Sequence, residues 1–259
     1  MHLAHQELFK KLDTNGGIVV ICTGYANLTI KTYRERYTNF PLFFYPLEEI
    51  KHLSGEQFVN LLKEEFPELK KIVVGYDFHF GNKASCDTND LKEIFDGEVE
   101  IVDEFKLDNV AIHSRVIREC LRNGEIEKAN KLLGYEYSLV GLSIKGQGLG
   151  KKQFVPTINI DVQDFLIPSE GIYVTKTKVN NKEFNSVSFI GHRVTTDGKF
   201  ACETHILDVE YKQEIPHTIE VKFLKKLRDN KKYEKYDELK QQILKDIKEA
   251  KMFLNKEVK

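Results

Sequence analysis

The chain has 259 residues, of which 41% are hydrophobic, and its 39 Lys and Arg side chains nearly balance its 40 Asp and Glu side chains. This length suffices for two ordinary domains with buried cores. The formal net charge of −1 lacks the basic excess that is typical of proteins that bind nucleic acid or anionic membranes. We therefore expect neither partner.

The cysteines and the lengths of the apolar runs indicate the cellular compartment of the protein. Four cysteines lie far apart without a C-x-x-C pair, which argues against a zinc site and gives no disulfide framework. The longest aliphatic runs have the length of strands, and no charged and then apolar leader precedes them. We expect a cytoplasmic protein without a membrane span.

Roughly the first 130 residues alternate short apolar runs with helical patterns, which is typical of βα units around a parallel sheet. Strands are predicted over residues 18–23, 71–75 and 99–105. Helices are predicted over residues 54–66, 89–95, 114–122 and 126–133, the first of them because Ser54 and Gln57 have the spacing of a capping box.

From residue 137 onward the pattern changes to short β-rich runs joined by turn residues, which is typical of an antiparallel barrel. The predicted strands cover residues 137–143, 157–162, 171–179, 184–190, 201–207 and 218–223. An amphipathic helix over residues 237–254 should close the chain and pack on the barrel. We place the domains at residues 1–135 and 136–259.

A glycine-rich stretch lies at the start of the second domain. Gly146, Gly148 and Gly150 alternate and are followed by Lys151 and a second lysine. Such a loop can cradle phosphates with its backbone N–H groups while the lysines add charge. The spacing is not that of a Walker A loop, and a flexible loop between strands is the alternative.

Two polar motifs follow on predicted strands. Thr157 and Asn159 can offer a hydroxyl and an amide oxygen to a hydrated Mg²⁺. Glu203 and His205 share one face of a later strand, and the Glu203 carboxylate can take a proton from an attacking hydroxyl. The alternatives are the ordinary start of a strand for the first pair and a solvated polar face for the second.

These motifs, together with residues 171–173, 190–195 and 227–228, resemble in order and spacing the bacterial bifunctional riboflavin kinase/FAD synthetases over essentially the whole chain. The resemblance implies a Rossmann-like α/β nucleotidylyltransferase domain followed by a six-stranded antiparallel riboflavin kinase barrel with a C-terminal helix. The implied substrates are ATP with Mg²⁺, riboflavin and FMN. By this resemblance, Thr157 and Asn159 match the pair of residues that binds Mg-ATP, and Glu203 matches the general base. Arg228 is a candidate for a contact with the flavin.

The same resemblance implies residues of the adenylyltransferase in the first domain. His2 and His5 are similar to an H-x-G-H motif, in which two imidazoles at a helix N-terminus hold ATP phosphates. Asp77 and Phe78 fall in a G-x-D-F-x-F-G motif at the carboxyl end of a strand, where open α/β sheets bind ligands. Ser114 and Arg118 match the end of the family's phosphate-binding signature. These two residues complete the candidate site of the first domain.

Each of these first-domain motifs has an alternative. The histidines can belong to a disordered N-terminus, and a metal site would need more ligands than these two. Asp77 and Phe78 can belong to a structured turn with core aromatics, and Arg118 can be a surface arginine of a helix.

The chain also departs from the family pattern. The family has a strand and a Gly-x-Phe-Asp-Gly turn before the first histidine, and a Thr-Phe-x-Pro-His-Pro motif that is replaced here by residues 23–28. Ala4 replaces the glycine of the H-x-G-H motif. In the second domain, Phe154 replaces a glycine that the family has before Pro156, Val194 replaces a proline, and Asn230 replaces a glutamate. We favour a truncated start in a divergent branch over a degenerate enzyme. We expect weak or no FMN adenylyltransferase activity.

Two rival functions stay open on the sequence. One is a monofunctional riboflavin kinase whose first domain is a scaffold, and the other is a non-catalytic module that binds flavin or nucleotide. Retention of Thr157, Asn159 and Glu203 argues against the second, because binding alone does not need a base. The sequence does not indicate an oligomeric state.

Overall fold

The computed structural model describes residues 1–24, 28–144, 155–162, 164–209 and 217–257. The chain divides into two compact units, Met1–Ser114 and Arg115–Lys259, called here the first and the second unit. This division lies before the two helices that follow Ser114, whereas the sequence-based boundary at residue 135 lies after them. No helix in the described ranges is long and apolar enough to cross a membrane.

The described part of the first unit contains four α-helices, two 3₁₀ helices and six strands. In chain order they are α1 (Leu3–Phe9), β1 (Ile18–Cys22), β2 (Leu42–Pro46), α2 (Leu47–Ile50), α3 (Gly55–Glu65), β3 (Lys71–Gly75), α4 (Thr88–Ile94), β4 (Glu98–Val102), β5 (Lys106–Leu107) and β6 (Val110–Ala111), with 3₁₀ helices at Lys31–Tyr37 and Asn82–Ala84.

The predicted parallel pairing is confirmed, but the described strands form two small parallel sheets instead of one. Strand β1 pairs with β2 and β3 pairs with β4. The helix α3 begins as predicted, because the Ser54 side chain accepts from the backbone N–H of Gln57 and the Gln57 side chain accepts from the backbone N–H of Ser54. Its apolar stripe packs with α4 and β3 in the core of this unit, around Phe58 and Leu91.

The second unit begins with two helices and continues with a closed six-stranded barrel and a long helix. The elements are α5 (Ser114–Asn123), α6 (Ile126–Leu133), β7 (Ser138–Ile144), β8 (Ile158–Val162), β9 (Gly171–Val179), β10 (Lys182–His192), β11 (Phe200–Ile206), β12 (Thr218–Arg228) and α7 (Tyr236–Glu257). The barrel order is β10-β11-β8-β7-β12-β9, with antiparallel neighbours throughout.

The predicted barrel and closing helix are therefore confirmed. The hairpin between β9 and β10 turns at Asn180 and Asn181, which both have positive φ, as a two-residue turn of this kind requires. Helix α7 packs Ala250 and Leu254 against the outer face of the barrel, where they join Val174 of β9 in one apolar cluster.

The inside of the barrel holds five hydroxyl side chains that we call the hydroxyl cluster: Thr175, Thr177, Ser186, Ser188 and Thr204. All five are fully buried, and they bond to one another at 2.7–2.9 Å. Because every buried hydroxyl finds a partner in the cluster, the interior of the barrel is polar without leaving these groups unsatisfied.

Candidate functional site

Strand β11 carries the central residue of the candidate site. Along β11 the side chain of Thr204 is buried in the hydroxyl cluster, so its neighbours Glu203 and His205 lie on the outer face. Glu203 stands directly opposite Asn159 of β8 in the antiparallel register. The Thr157 hydroxyl donates to Oε2 of Glu203 at 3.3 Å. The structure thus brings together three of the residues that the sequence singled out.

The stretch that carries Thr157 is tied to β11 by a second contact. Nδ1 of His205 donates to the carbonyl oxygen of Pro156 at 2.8 Å, which requires the proton on Nδ1. Because Pro156 directly precedes Thr157, this bond supports the position of the threonine hydroxyl beside Glu203. His205 therefore serves the site through the backbone of the neighbouring strand.

Sequence reasoning missed two charged residues of the site. Nη1 of Arg193 donates to Oε1 of Glu203 at 3.1 Å, and its Nε and Nη2 each donate to Asp197 at 3.0 Å. Burial raises the pKa of Asp197, but hydrogen bonds from the Lys199 backbone and Arg193 outweigh it and leave this pKa below its usual value. The only sequence signal was the position of Arg193 inside the motif at residues 190–195.

A second network holds the end of β10, next to Arg193. Glu170 accepts from the backbone N–H of His192 at 3.0 Å and from its Nδ1 at 2.7 Å, and Asn230 donates to Glu170 and to the carbonyl oxygen of His192. The bond from the His192 backbone is the largest cause of a lowered pKa of Glu170. Gly191 has φ +141°, and an added Cβ would lie 2.6 Å from Glu170 Oε2, so this position requires glycine.

Arg228, the predicted candidate on the flavin side, forms an ion pair. Its Nε and Nη2 donate to the two carboxylate oxygens of Asp246 on α7, at 2.9 and 2.7 Å. Only 2% of the Asp246 side chain is exposed, and Gln242 also donates to it. In this structure Arg228 fastens the C-terminal helix to the end of β12.

The glycine-rich motif lies outside the described residues. Gly146, Gly148, Gly150 and Lys151 all belong to it. Their predicted role as a phosphate cradle stays a prediction.

The first unit contains a cleft of about 500 Å³. It is lined by the start of α1, by the residues that follow β3 and β4, and by the residues before α5. Among the predicted residues, it brings together His2, His5, Asp77, Phe78 and Ser114.

His113, which also lines this cleft, was not predicted as a site residue. Its Nδ1 lies 3.9 Å from an oxygen of Asp77, and its Nε2 lies 3.6 Å from an oxygen of Glu104. Tyr76 donates to the same Glu104 oxygen at 3.0 Å. These contacts form a polar wall on the side of the cleft where β3 and β4 end.

His2, which directly precedes α1, and His5 of α1 lie at the other side of the cleft, with an angle of 39° between their ring planes. Their ring centroids lie 3.8 Å apart, and the backbone N–H of His2 donates to Nδ1 of His5 at 3.2 Å. Burial, helped by the N-terminal ammonium and Arg34, lowers the pKa of His5 to about 4. His5 is therefore neutral at neutral pH.

Arg118 lies on α5 and is half-buried in the second unit. Ser114, four residues earlier, is the first residue of the same helix and lines the cleft of the first unit. The proposed phosphate contact of Arg118 stays a prediction.

The chemistry of the available donors decides which metal the barrel site can take. Thr157, Asn159 and Glu203 offer only oxygen atoms, the ligand type that Mg²⁺ prefers. Across the described ranges, no group of three or more His, Cys, Asp or Glu side chains is arranged to hold a metal ion. The oxygen set therefore fits an ion that keeps most of its ligands from water and phosphate.

Comparisons with known proteins agree with this geometry. A riboflavin kinase family model matches residues 133–254, and an FAD synthetase family model matches residues 41–116. A bifunctional riboflavin kinase/FMN adenylyltransferase from Listeria monocytogenes is 33% identical over 80% of this chain and 67% of its own length. One of the same name from Haemophilus influenzae is 36% identical over 72% of this chain and 62% of its own length.

A solved structure has the same fold. The crystal structure of a protein from Streptococcus pneumoniae, described as a macrolide-efflux protein, is 26% identical to this chain with a TM-score of 0.82, and the match covers 96% of this chain and 90% of that one. The two curated relatives are matched over about two thirds of their length. From these similarities, the chain belongs to the enzyme family of the bifunctional riboflavin kinase/FMN adenylyltransferases.

Proposed function

We propose that the second unit transfers the γ-phosphoryl group of ATP to the ribityl 5′-hydroxyl of riboflavin, which gives FMN and ADP. The observation that carries this proposal is the contact of Glu203 with Thr157 and its position opposite Asn159. A carboxylate base beside two neutral oxygen donors is the set that phosphoryl transfer to a hydroxyl needs.

Glu203 acts as the general base in this proposal. As the 5′-oxygen forms its bond to the γ-phosphorus, the bond from that phosphorus to the β,γ-bridging oxygen breaks and ADP leaves. The proton of the 5′-hydroxyl passes to the Glu203 carboxylate. Glu203 is partly buried, and its Oε1 lies 3.1 Å from Nη1 of Arg193.

Thr157 and Asn159 would hold Mg²⁺ together with the phosphates of ATP. The ion would neutralise charge on the transferred phosphoryl group when it is bound. The Thr157 hydroxyl and the Asn159 amide are uncharged, so they can contribute ligands without binding the cation as tightly as a carboxylate cage would. Gly146, Gly148, Gly150 and Lys151 would cradle the phosphates with backbone N–H groups and one positive charge.

The first unit would carry the adenylyltransferase, in which an FMN phosphate oxygen attacks the α-phosphorus of a second ATP and pyrophosphate leaves. Its cleft lies at the carboxyl ends of β3 and β4, the usual position of ligands in open α/β folds. His2, His5, Asp77, Phe78 and Ser114 line it. At neutral pH His5 contributes a neutral imidazole, since its pKa is about 4.

The partners in this proposal are small molecules: ATP, riboflavin and FMN. The cytoplasm, where ATP is available, is the proposed compartment. No nucleic acid or membrane takes part in either reaction.

A product assay tests both activities. The purified chain is incubated with riboflavin, ATP and Mg²⁺, and riboflavin, FMN and FAD are separated by chromatography. We expect FMN that depends on ATP and on Mg²⁺, and less FAD than FMN, because Ala4 replaces the glycine of the H-x-G-H motif. No flavin nucleotide from folded protein would contradict the kinase proposal, and FAD formed as fast as FMN would contradict the expected impairment.

A further inference from the structure

We propose that Arg193, held by Asp197, is a positioning residue that fixes the Glu203 carboxylate and leaves its Oε2 atom as the proton acceptor. This inference rests on the proposed kinase function, because it concerns how the base of that reaction is oriented. It concerns two residues that the sequence-based site did not contain.

The geometry of the guanidinium carries the first step. Nε and Nη2 bind the two oxygens of Asp197 as a fork, and the remaining nitrogen, Nη1, binds Oε1 of Glu203. Each nitrogen of the planar group therefore has its own acceptor. Rotation of the group would break the fork, so Asp197 sets the direction in which Nη1 points.

The turn that carries Asp197 is itself closed by hydrogen bonds. The backbone N–H of Arg193 donates to the carbonyl oxygen of Lys199 at 2.9 Å, and the N–H of Gly198 donates to the carbonyl oxygen of Arg193 at 3.1 Å. The N–H of Lys199 also donates to Oδ1 of Asp197 at 3.2 Å. The carboxylate that holds Arg193 is thus fixed to the same turn as Arg193.

Burial makes these contacts matter more than a surface ion pair. The exposed fractions are 18% for the Arg193 side chain, 23% for Asp197 and 19% for Glu203. Partly buried charges are less screened by water and salt than exposed ones. An arginine that lost its carboxylates here would keep a charge in a poorly hydrated place, which favours the observed arrangement.

The two oxygens of Glu203 consequently have different partners. Oε1 accepts from the charged Arg193, whereas Oε2 accepts, among the residues that the structure describes, only the longer bond from the Thr157 hydroxyl. A neutral hydroxyl can be displaced or can turn to another acceptor more readily than a forked guanidinium. The oxygen next to Thr157 is therefore the one that meets the substrate hydroxyl and takes its proton.

Two conservative variants test this inference. Arg193→Lys keeps the charge but cannot bind Asp197 as a fork and reach Glu203 at once, and Asp197→Asn keeps the shape but weakens the fork. We expect kcat for FMN formation to fall on the order of 10²-fold in Arg193→Lys and less in Asp197→Asn, because misplacing a catalytic group costs about this much. The KM for riboflavin should stay close to that of the unchanged chain.

Glu183→Gln is the matched control. It breaks another partly exposed ion pair between a glutamate and a cation on the barrel, that of Glu183 with Lys222, away from the site. We expect kcat to be unchanged in this variant. A kcat of Arg193→Lys that equals that of the control would overturn the inference while leaving the kinase proposal intact.

A double variant separates positioning from simple folding effects. If Arg193 acts through Glu203, then Arg193→Lys costs little further kcat in a Glu203→Gln background. The same fold-loss in both backgrounds would overturn the inference, as would a loss that tracks a lowered melting temperature. Absence of FMN with the unchanged chain would overturn the kinase proposal and this inference together, so the two failures are distinguishable.

Discussion

Thr157 and Glu203 are 46 residues apart in the chain, yet the hydroxyl of one donates to the carboxylate of the other at 3.3 Å. The contact exists because β8 and β11 are neighbours in the closed barrel. A glycine-rich and lysine-rich segment directly precedes this pair in the sequence. The barrel therefore brings the candidate metal ligands and the candidate base together on one pair of strands.

The first prediction concerns the Thr157 hydroxyl. Thr157→Val keeps the shape of the side chain and removes the oxygen that would bind Mg²⁺. We expect kcat/KM for ATP to fall on the order of 10²-fold, since one ligand is lost of the ion that would neutralise charge on the transferred phosphoryl group. Steady-state FMN formation at varied ATP measures it. Thr218→Val, on an exposed threonine of β12, is the matched control, and equal kinetics of the two variants would contradict the role of Thr157.

The second prediction concerns the ion pair of Arg228 and Asp246. Asp246→Ala should lower the free energy of unfolding by about 3 kcal/mol, because it leaves a half-buried guanidinium without its carboxylate. Equilibrium unfolding in denaturant measures this loss. Glu249→Ala, which removes a partner of the more exposed pair with Lys245, should cost about 0–1 kcal/mol.

The same pair distinguishes the two roles considered for Arg228. If Arg228 binds flavin, as the family resemblance implies, then Asp246→Ala should raise the KM for riboflavin. If Arg228 instead holds the C-terminal helix, as the ion pair indicates, then Asp246→Ala should lower the free energy of unfolding and leave this KM unchanged. An unchanged free energy of unfolding in Asp246→Ala would contradict the role of the Arg228–Asp246 ion pair in holding the C-terminal helix to the end of β12.

The third prediction concerns the hydroxyl cluster. Thr175→Val fills nearly the same volume but removes the partner of both Ser186 and Ser188. We expect a loss of about 1–3 kcal/mol in the free energy of unfolding, because buried hydroxyls are left with fewer hydrogen bonds. Denaturant unfolding measures it, with Thr218→Val as the exposed control. A Thr175→Val variant as stable as that control would mean that the cluster does not stabilise the barrel.

The fourth prediction follows from His5, whose pKa is lowered from 6.5 to about 4. The unfolded chain binds a proton at this histidine between these two values while the folded chain does not, so stability falls as the pH drops from 6.5 to 4 and is fully present above 6.5. A shift of this size corresponds to about 3 kcal/mol. Unfolding of the full chain at pH 7 and pH 5 measures it.

Two variants check the assignment of this pH dependence. His5→Asn should reduce the difference in stability between pH 7 and pH 5, because the side chain no longer titrates. His52→Asn, which changes an exposed histidine of the same unit, should leave the difference as it is. An unchanged pH dependence in His5→Asn would show that another group causes it.

The sequence predicts the elements better than it predicts their contacts. Local signals, such as the capping box at Ser54 and the β-rich run at residues 171–179, act within a few residues, and the corresponding elements are confirmed. Strand β2 was not predicted, although it is an aromatic run between two prolines, Pro41 and Pro46. Prolines at both ends make such a run resemble a loop.

The contacts of the site depend on pairing at a distance, which local patterns do not contain. Glu203 was predicted from its strand, but the direction of Arg193 depends on a turn that closes between β10 and β11. Arg228 was predicted from family resemblance, and its partner Asp246 lies on a helix whose sequence shows only an amphipathic stripe. The division of the parallel strands into two small sheets also had no local signal.

The most direct test of the central claim is the rate of FMN formation by Glu203→Gln. Glutamine keeps one oxygen for Nη1 of Arg193 and places its NH2 group beside the Thr157 hydroxyl, which can turn to accept from it, but glutamine cannot take the substrate proton at neutral pH. We expect kcat to fall ~10²–10⁴-fold with little change in stability. A Glu203→Gln variant that forms FMN at the rate of the unchanged chain would contradict the assignment of Glu203 as the base.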